Sequence, residues 1–178
     1  MNLKSILIIS FMFVSFFSIL YSQESEPENM NKCRIHKTNT DKSNILVKSL
    51  NQITFPEKYF DDCMLEMIDE EYRNNFYDSI DYKRLTYLSK KNNFRISIII
   101  VLYPTSKQAL EGLQSAIMTR NRMYNGPNFN IGEYMISADS GIFIFSRANV
   151  IVDIYADSGI SMLSVGEDID QKILEIIK

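Results

Sequence analysis

Residues 132–155 read GEYMISADSGIFIFSRANVIVDIY, and they are the most informative part of the chain for predicting its fold. It contains three short, largely apolar segments, at 132–137, 142–147 and 150–155. The first two are separated by Ala138-Asp139-Ser140-Gly141, and the last two by Ala148-Asn149. Short connections of Asp, Ser, Gly and Asn are typical of tight turns. The stretch therefore predicts three consecutive antiparallel strands.

The two turns also predict which side chains share a face. With a tight turn at 148–149, Phe145 opposes Val152 and Phe143 opposes Ile154. We expect Tyr134 and Ile136 on this same face, which we take as the main core side. The other face is also largely apolar, so a helix or a partner must cover it. It carries Met135, Ile142, Ile144, Ile151, Asp153 and Tyr155.

Two further strands and a helix are predicted upstream. The strands lie at 84–89 and 94–103, with Lys90-Lys91-Asn92-Asn93 as their hairpin loop. The unbroken aliphatic run within the second strand suits a central strand covered on both faces. Thr105, with Gln108 three residues later, predicts a capping box that begins a helix. That helix has one apolar stripe: Ala109, Leu110, Leu113, Ala116, Ile117 and Tyr124.

The flanking segments are also predicted to be helical. Pro56 begins a helix whose apolar residues recur at helical spacing: Tyr59, Phe60, Cys63, Met64, Met67 and Ile68. A short helical or irregular piece follows at 72–80. Residues 158–178 predict a C-terminal helix; the alternative is a fourth strand at 160–165 and a helix after Gly166.

Together these elements predict an α+β fold. It consists of an antiparallel sheet of about five strands, a crossover helix after the central strand, and a C-terminal helix packed on the sheet.

The first 22 residues have the order of an export signal. Lys4 supplies a positive charge, residues 6–20 are apolar apart from three serines, and Leu20-Tyr21-Ser22 offers a cleavage site. The alternative is a membrane anchor, but a span takes about 18–20 apolar residues, more than this run has. We therefore expect an exported protein, periplasmic or secreted, without a membrane span after cleavage. Its parts would be a signal peptide (1–22), a loose polar segment (23–55) and an α+β domain (56–178).

Charge and cysteine content limit the functions and the compartment. Lys4 is the one charged residue of the predicted signal, so residues 23–178 keep 18 basic and all 22 acidic side chains, a net charge of −4. This balance gives no electrostatic attraction for nucleic acid. Two cysteines, Cys33 and Cys63, in an exported chain predict a disulfide; two free thiols are the alternative.

No catalytic or cofactor motif is supported. The sequence Ala-Asp-Ser-Gly-Ile occurs at 138–142 and 156–160, and Asp-Ser-Gly is similar to the aspartic protease loop, but turn chemistry accounts for both copies. The single histidine, His36, lies in the polar N-terminal segment, which argues against a triad or a zinc site. The acidic cluster at 61–71 lacks the alternating ligands and the central glycine of a calcium loop. We expect no cofactor and no metal.

One polar group is a candidate recognition patch. Arg147 flanks the second tight turn, Asn149 lies in it, and Asp153 interrupts an apolar face. The simpler interpretation is a strand-end arginine, a turn asparagine and a rim aspartate. The functional interpretation is a small polar patch at the end of a hairpin.

Two parts of the sequence match a known pattern: Ile131-Gly132-Glu133 and the run 144–152. The chain resembles uncharacterised exported bacterial domains in which an Ile/Val-Gly-Asp strand precedes a Phe-x-Arg-Gly-Asn-Val-x-Val hairpin and a C-terminal helix. The likeness covers roughly residues 94–177 and departs at Glu133 and Ala148, where the pattern has Asp and Gly. It implies an α+β domain and export, and it implies no activity.

Two functional hypotheses follow. The first is a non-catalytic exported domain that binds a protein, an envelope component or a small ligand. The second is a hydrolase that uses carboxylates such as Glu133, Asp139 or Asp153. Two carboxylates converging in a deep pocket would favour the hydrolase, whereas a flat apolar patch would favour the first hypothesis.

Overall fold

The computed structural model describes residues 35–38, 45–59, 65–75, 78–89, 94–119, 125–156 and 161–177. Lys32–Lys178 form one compact unit by their internal contacts. Cys33, Cys63, the predicted signal peptide and the predicted 90–93 loop lie outside the described residues.

One antiparallel sheet organises the described residues. Its strand order is β1-β6-β7-β8-β5-β4-β3-β2, so it has eight strands rather than about five; two of them are only two residues long. The strands are β1 His36–Lys37, β2 Lys58–Tyr59, β3 Leu65–Asn74, β4 Asp81–Ser89, β5 Phe94–Leu102, β6 Tyr134–Asp139, β7 Ile142–Arg147 and β8 Val150–Ala156. The α+β class and the antiparallel sheet are confirmed.

The β7–β8 register is the predicted one. Phe145 opposes Val152 and Phe143 opposes Ile154. The prediction for β6 was wrong, because Met135, not Tyr134 or Ile136, shares the face of Phe145. The strand continues to Asp139, and the pairing shifts between Ser137 and Asp139. One extra residue there moves every β6 side chain to the other face.

A helix lies on each face of the sheet. Helix α1, Ser106–Thr119, crosses from β5 towards β6 and packs on β7 and β8. Helix α2, Leu163–Ile176, packs against β7 from the other side. The fourth strand considered for 160–165 is therefore wrong. The α2 face holds the larger core, including Phe143, Phe145 and Ile169, and the α1 face holds a smaller one, including Ile144 and Leu113.

The helix predicted from Pro56 is wrong. Leu65–Asn74 form β3, which pairs with β4 along its whole length. Tyr59 belongs to the short strand β2, and Phe60, Cys63 and Met64 lie outside the described residues. Pairing with a neighbouring strand outweighs the local helical spacing, because β-structure depends on tertiary context.

Part of the predicted loose segment joins the core. Residues 45–53, which we call the N-terminal strap, bury Val47, Leu50 and Ile53 among the side chains of the α2 face. A 3₁₀ helix at Leu50–Gln52 begins at Ser49, whose side chain accepts a hydrogen bond from the amide of Asn51. The folded domain therefore includes residues before 56.

Candidate functional site

Arg147 is a buried structural cation. It lies at the end of β7 on the α2 face and is 1% exposed. Its Nε and Nη2 donate to the two carboxylate oxygens of Asp170 in α2, each at 2.7 Å. The amide of Gly132 donates to the same carboxylate at 3.0 Å. Arg147 therefore ties the last helix to the sheet instead of facing solvent.

Asn149 links three parts of the chain. Its Nδ2 donates to the carbonyl oxygens of Val47 at 3.0 Å and Tyr103 at 2.7 Å. Its Oδ1 accepts from the amide of Val47 at 2.9 Å. The side chain thus uses both donors and its acceptor inside the protein. Asn149 holds the N-terminal strap against the β7–β8 turn and the end of β5.

The structure does not bring the predicted recognition patch together. Asp153 lies on the α1 face between Ile144 of β7 and Ile99 of β5 and is 7% exposed. Arg147 lies on the opposite face, and Asn149 lies within the turn. Internal contacts engage Arg147 and Asn149, so the three residues do not form one accessible surface.

The structure also gives no converging pair to the candidate hydrolase carboxylates Glu133 and Asp139. Glu133 is buried beside the amide of Ala148. Asp139 is at the other end of β6, roughly 20 Å away at the usual rise of a strand, and accepts from the amide of Gly141 at 2.7 Å. This bond is the turn chemistry predicted for the first Ala-Asp-Ser-Gly-Ile copy. Glu133 and Asp139 therefore do not converge, and Asp153 is buried whereas Asp139 is exposed.

The remaining polar candidates have local roles. The Nε2 of His36 lies 3.1 Å from the carbonyl oxygen of Gly126, where β1 joins the sheet. Glu70 pairs with Lys83 and Glu71 pairs with Arg84 across β3 and β4. Within the described part of the chain, no group of three or more His, Cys, Asp or Glu side chains is arranged to hold a metal ion.

An open cleft lies where α1 leaves the sheet uncovered. Its volume is about 380 Å³, and we call it the α1 cleft. The β3–β4 connection and β4 contribute Asp78, Ser79 and Tyr82, and the end of β5 contributes Val101 and Tyr103. One side of the helix completes the lining with Gln108, Glu111, Gly112 and Ser115.

Glycine allows the helix to approach the cleft floor. A Cβ atom on Gly112 would lie 2.5 Å from the Tyr103 hydroxyl and 3.0 Å from Ile151 Cδ1. The Tyr103 phenol therefore lies directly against the helix backbone. Thr105 begins this helix: its Oγ1 accepts from the amide of Gln108 at 3.1 Å, as the predicted cap requires.

Burial strengthens the preference of the two cleft phenols for the protonated form. It raises the pKa of Tyr103, and the negative charge of Asp78 raises that pKa further. Burial also raises the pKa of Tyr82. At neutral pH both tyrosines therefore present a hydroxyl that can donate and accept a hydrogen bond. The cleft thus combines neutral hydroxyl and amide groups with two carboxylates, Asp78 and Glu111.

Sequence patterns do not predict that these cleft residues form one site. They come from three separated segments, 78–82, 101–103 and 108–115, which are assembled only by strand pairing. One available signal was Gly112, because an isolated glycine inside a helical pattern often marks a close approach of the backbone.

Among the described residues, no helix has both the length and the apolar character needed to cross a membrane. Comparison of the chain with protein-family models, with curated proteins and with solved structures finds no match.

Proposed function

We propose that this protein is an exported, non-catalytic binding domain whose ligand occupies the α1 cleft. The proposal rests on the cleft itself, which has a volume of about 380 Å³ and is lined by polar groups from both the sheet and α1. Ligand sites in proteins typically have volumes of about 300–1,000 Å³ and a few polar groups that orient the ligand.

The hydrolase hypothesis has less support. Catalysis by two carboxylates needs both of them close to one substrate. Glu133 and Asp139 lie at opposite ends of β6, and Asp153 is buried on the α1 face. None of the three lines the α1 cleft. A binding role requires no such pair.

A thermal screen with a cleft-blocking variant tests the binding function. The compounds are small amines, sugars, carboxylates and phosphate esters. A ligand at a hundredfold excess over its Kd should raise the Tm by about 5–10 °C, because it binds only the folded state. Ser115→Trp places a bulky side chain at the cleft and should abolish the shift. Gln114→Trp, on the neighbouring exposed residue of α1, is the matched control.

Two results would contradict this proposal. One is that no compound class stabilises the wild type. The other is that Ser115→Trp and Gln114→Trp respond alike, because the binding would then lie elsewhere.

Export is tested separately by the mature N-terminus. The signal pattern at 1–22 predicts that the exported protein begins near Gln23. N-terminal sequencing or intact mass measures this directly. A membrane-bound form that retains the first 22 residues would contradict export with cleavage.

A further inference from the structure

The charged side chains that line the α1 cleft are of one sign. Asp78 and Glu111 line it from opposite sides, one from the sheet connection and one from α1. None of the described residues that line it is lysine, arginine or histidine. A phosphate, sulfate or carboxylate ligand would meet two negative charges and no cation among these lining residues.

The basic groups near the cleft are paired with carboxylates. The charges of Arg73 and Arg84 act on Tyr82, but both guanidinium groups pair with Glu71. Lys107 Nζ lies 3.6 Å from Glu111 Oε1, one helical turn away, and both side chains are largely exposed. Exposed pairs of this kind are weak because water and salt screen them. A cationic ligand can therefore compete with Lys107 for the Glu111 carboxylate.

The neutral part of the cleft suits the same ligand. Tyr82 and Tyr103 supply aromatic rings and hydroxyl groups beside the carboxylates. A tyrosine ring attracts an organic cation through its negative face. Val101 supplies a small apolar wall for the ligand body.

We infer that the α1 cleft binds a small organic cation, an amine or quaternary ammonium compound with a short hydroxylated or apolar body. Asp78 and Glu111 balance its charge, and Tyr82 and Tyr103 contact its head. This inference rests on the proposed binding function and narrows it to one ligand class.

Choline and its uncharged isostere test the charge requirement. The probes are choline chloride, 3,3-dimethylbutan-1-ol and glucose, titrated at constant ionic strength into ¹⁵N-labelled protein. Choline should shift the amide signals of Gly112 and Ser115 in a saturable manner. The isostere has the same shape without the charge, so we expect its affinity to be about fivefold to tenfold lower.

Variants that each remove one negative charge test which carboxylates contribute to choline binding. Glu111→Gln and Asp78→Asn should each weaken choline binding about threefold to tenfold and leave binding of the isostere unchanged. Glu167→Gln removes an exposed charge from α2, outside the cleft, and should change neither.

The outcomes distinguish failure of the cation inference from failure of the proposed binding function on which it rests. Equal affinity for choline and its isostere, or saturable binding of glucose alone, overturns the cation inference while binding at the cleft stands. If choline fails but another class in the thermal screen binds at the cleft, only the inference fails. If no class binds there, both fail.

Discussion

At the residue scale, Gly166 sets the distance between α2 and the sheet. A Cβ atom at this position would lie 2.7 Å from Phe143 Cε2, on a ring that is fully buried. Glycine normally costs a helix interior about 1 kcal/mol relative to alanine. Here the absent methyl group allows the helix and the Phe143 ring to pack in contact.

We expect Gly166→Ala to lower the free energy of unfolding by about 1–3 kcal/mol despite its better helix propensity, because the methyl group overpacks the core. Urea denaturation measures this change. Ser164→Ala, at an exposed position of the same helix, should have almost no effect. In a Phe143→Leu background the cost of Gly166→Ala should shrink, since the clash is relieved. An unchanged cost would contradict the contact.

Asn149 provides a second test at this scale. Asn149→Asp preserves the shape but directs a carboxylate at the Val47 and Tyr103 carbonyl oxygens. We expect a loss of about 2–4 kcal/mol at neutral pH, because buried acceptors then face each other. The loss should be smaller at low pH, where a protonated carboxyl can donate to one carbonyl.

A matched substitution controls for the charge change. Asn128 uses its Oδ1 to accept a hydrogen bond from the amide of Asn130 at an exposed turn, and an aspartate can do the same. Asn128→Asp should therefore leave urea denaturation nearly unchanged. Equal losses at the two positions would mean that Asn149 does not hold the N-terminal strap.

At the scale of elements, a buried ion pair attaches α2 to β7. We expect Asp170→Ala to cost about 3–5 kcal/mol, because it leaves the Arg147 guanidinium buried without its counterion. Asp168→Ala, which removes a partly exposed partner of Lys172 on the same helix, should cost only about 0–1 kcal/mol. Urea denaturation again compares the two.

The double replacement Arg147→Met with Asp170→Leu separates charge from packing. It removes both charges together, so the variant should be more stable than Asp170→Ala alone. A double variant that is less stable would show that packing around the pair, and not the unpaired charge, dominates the cost.

The same elements show what could be predicted from sequence. Strands β4, β5, β7 and β8 contain short apolar runs or alternations, both helices have apolar residues at helical spacing, and all were predicted. Strand β3 was not: its register shifts between Met67 and Asp69, and much of it is exposed, so no regular alternation appears. A similar irregularity after Ser137 reversed the predicted face of Tyr134 and Ile136. Such irregularities arise from the partner strand and leave no local pattern.

At the scale of the whole molecule, the candidate site was beyond prediction. The α1 cleft depends on the order in which β8, β5 and β4 lie side by side, and that order sets which face α1 leaves open. The Arg147–Asp170 pair could not be predicted either, because its two residues are 23 positions apart and meet only in the folded protein. Residue types alone predict a recognition patch. In the folded protein, however, Arg147 and Asn149 make internal hydrogen bonds.

A disulfide between Cys33 and Cys63 remains a prediction for the whole chain. It would close a loop of about 30 residues and stabilise the protein by about 3–4 kcal/mol in the chain-entropy model. Mass spectrometry under non-reducing conditions should detect the linked peptides, and reduction should lower the denaturation midpoint. Two freely alkylated thiols in air-exposed native protein would contradict it.

The attachment of the N-terminal strap has a consequence for the order of folding. Val47 binds Asn149, 102 residues later, and His36 reaches Gly126, 90 residues later. A ribosome adding about 5–20 residues per second makes the strap several seconds before its partners exist. The early chain therefore cannot complete the domain during synthesis. For a protein that we propose to be exported, we expect this delay to favour passage of an incompletely folded chain through a translocation channel.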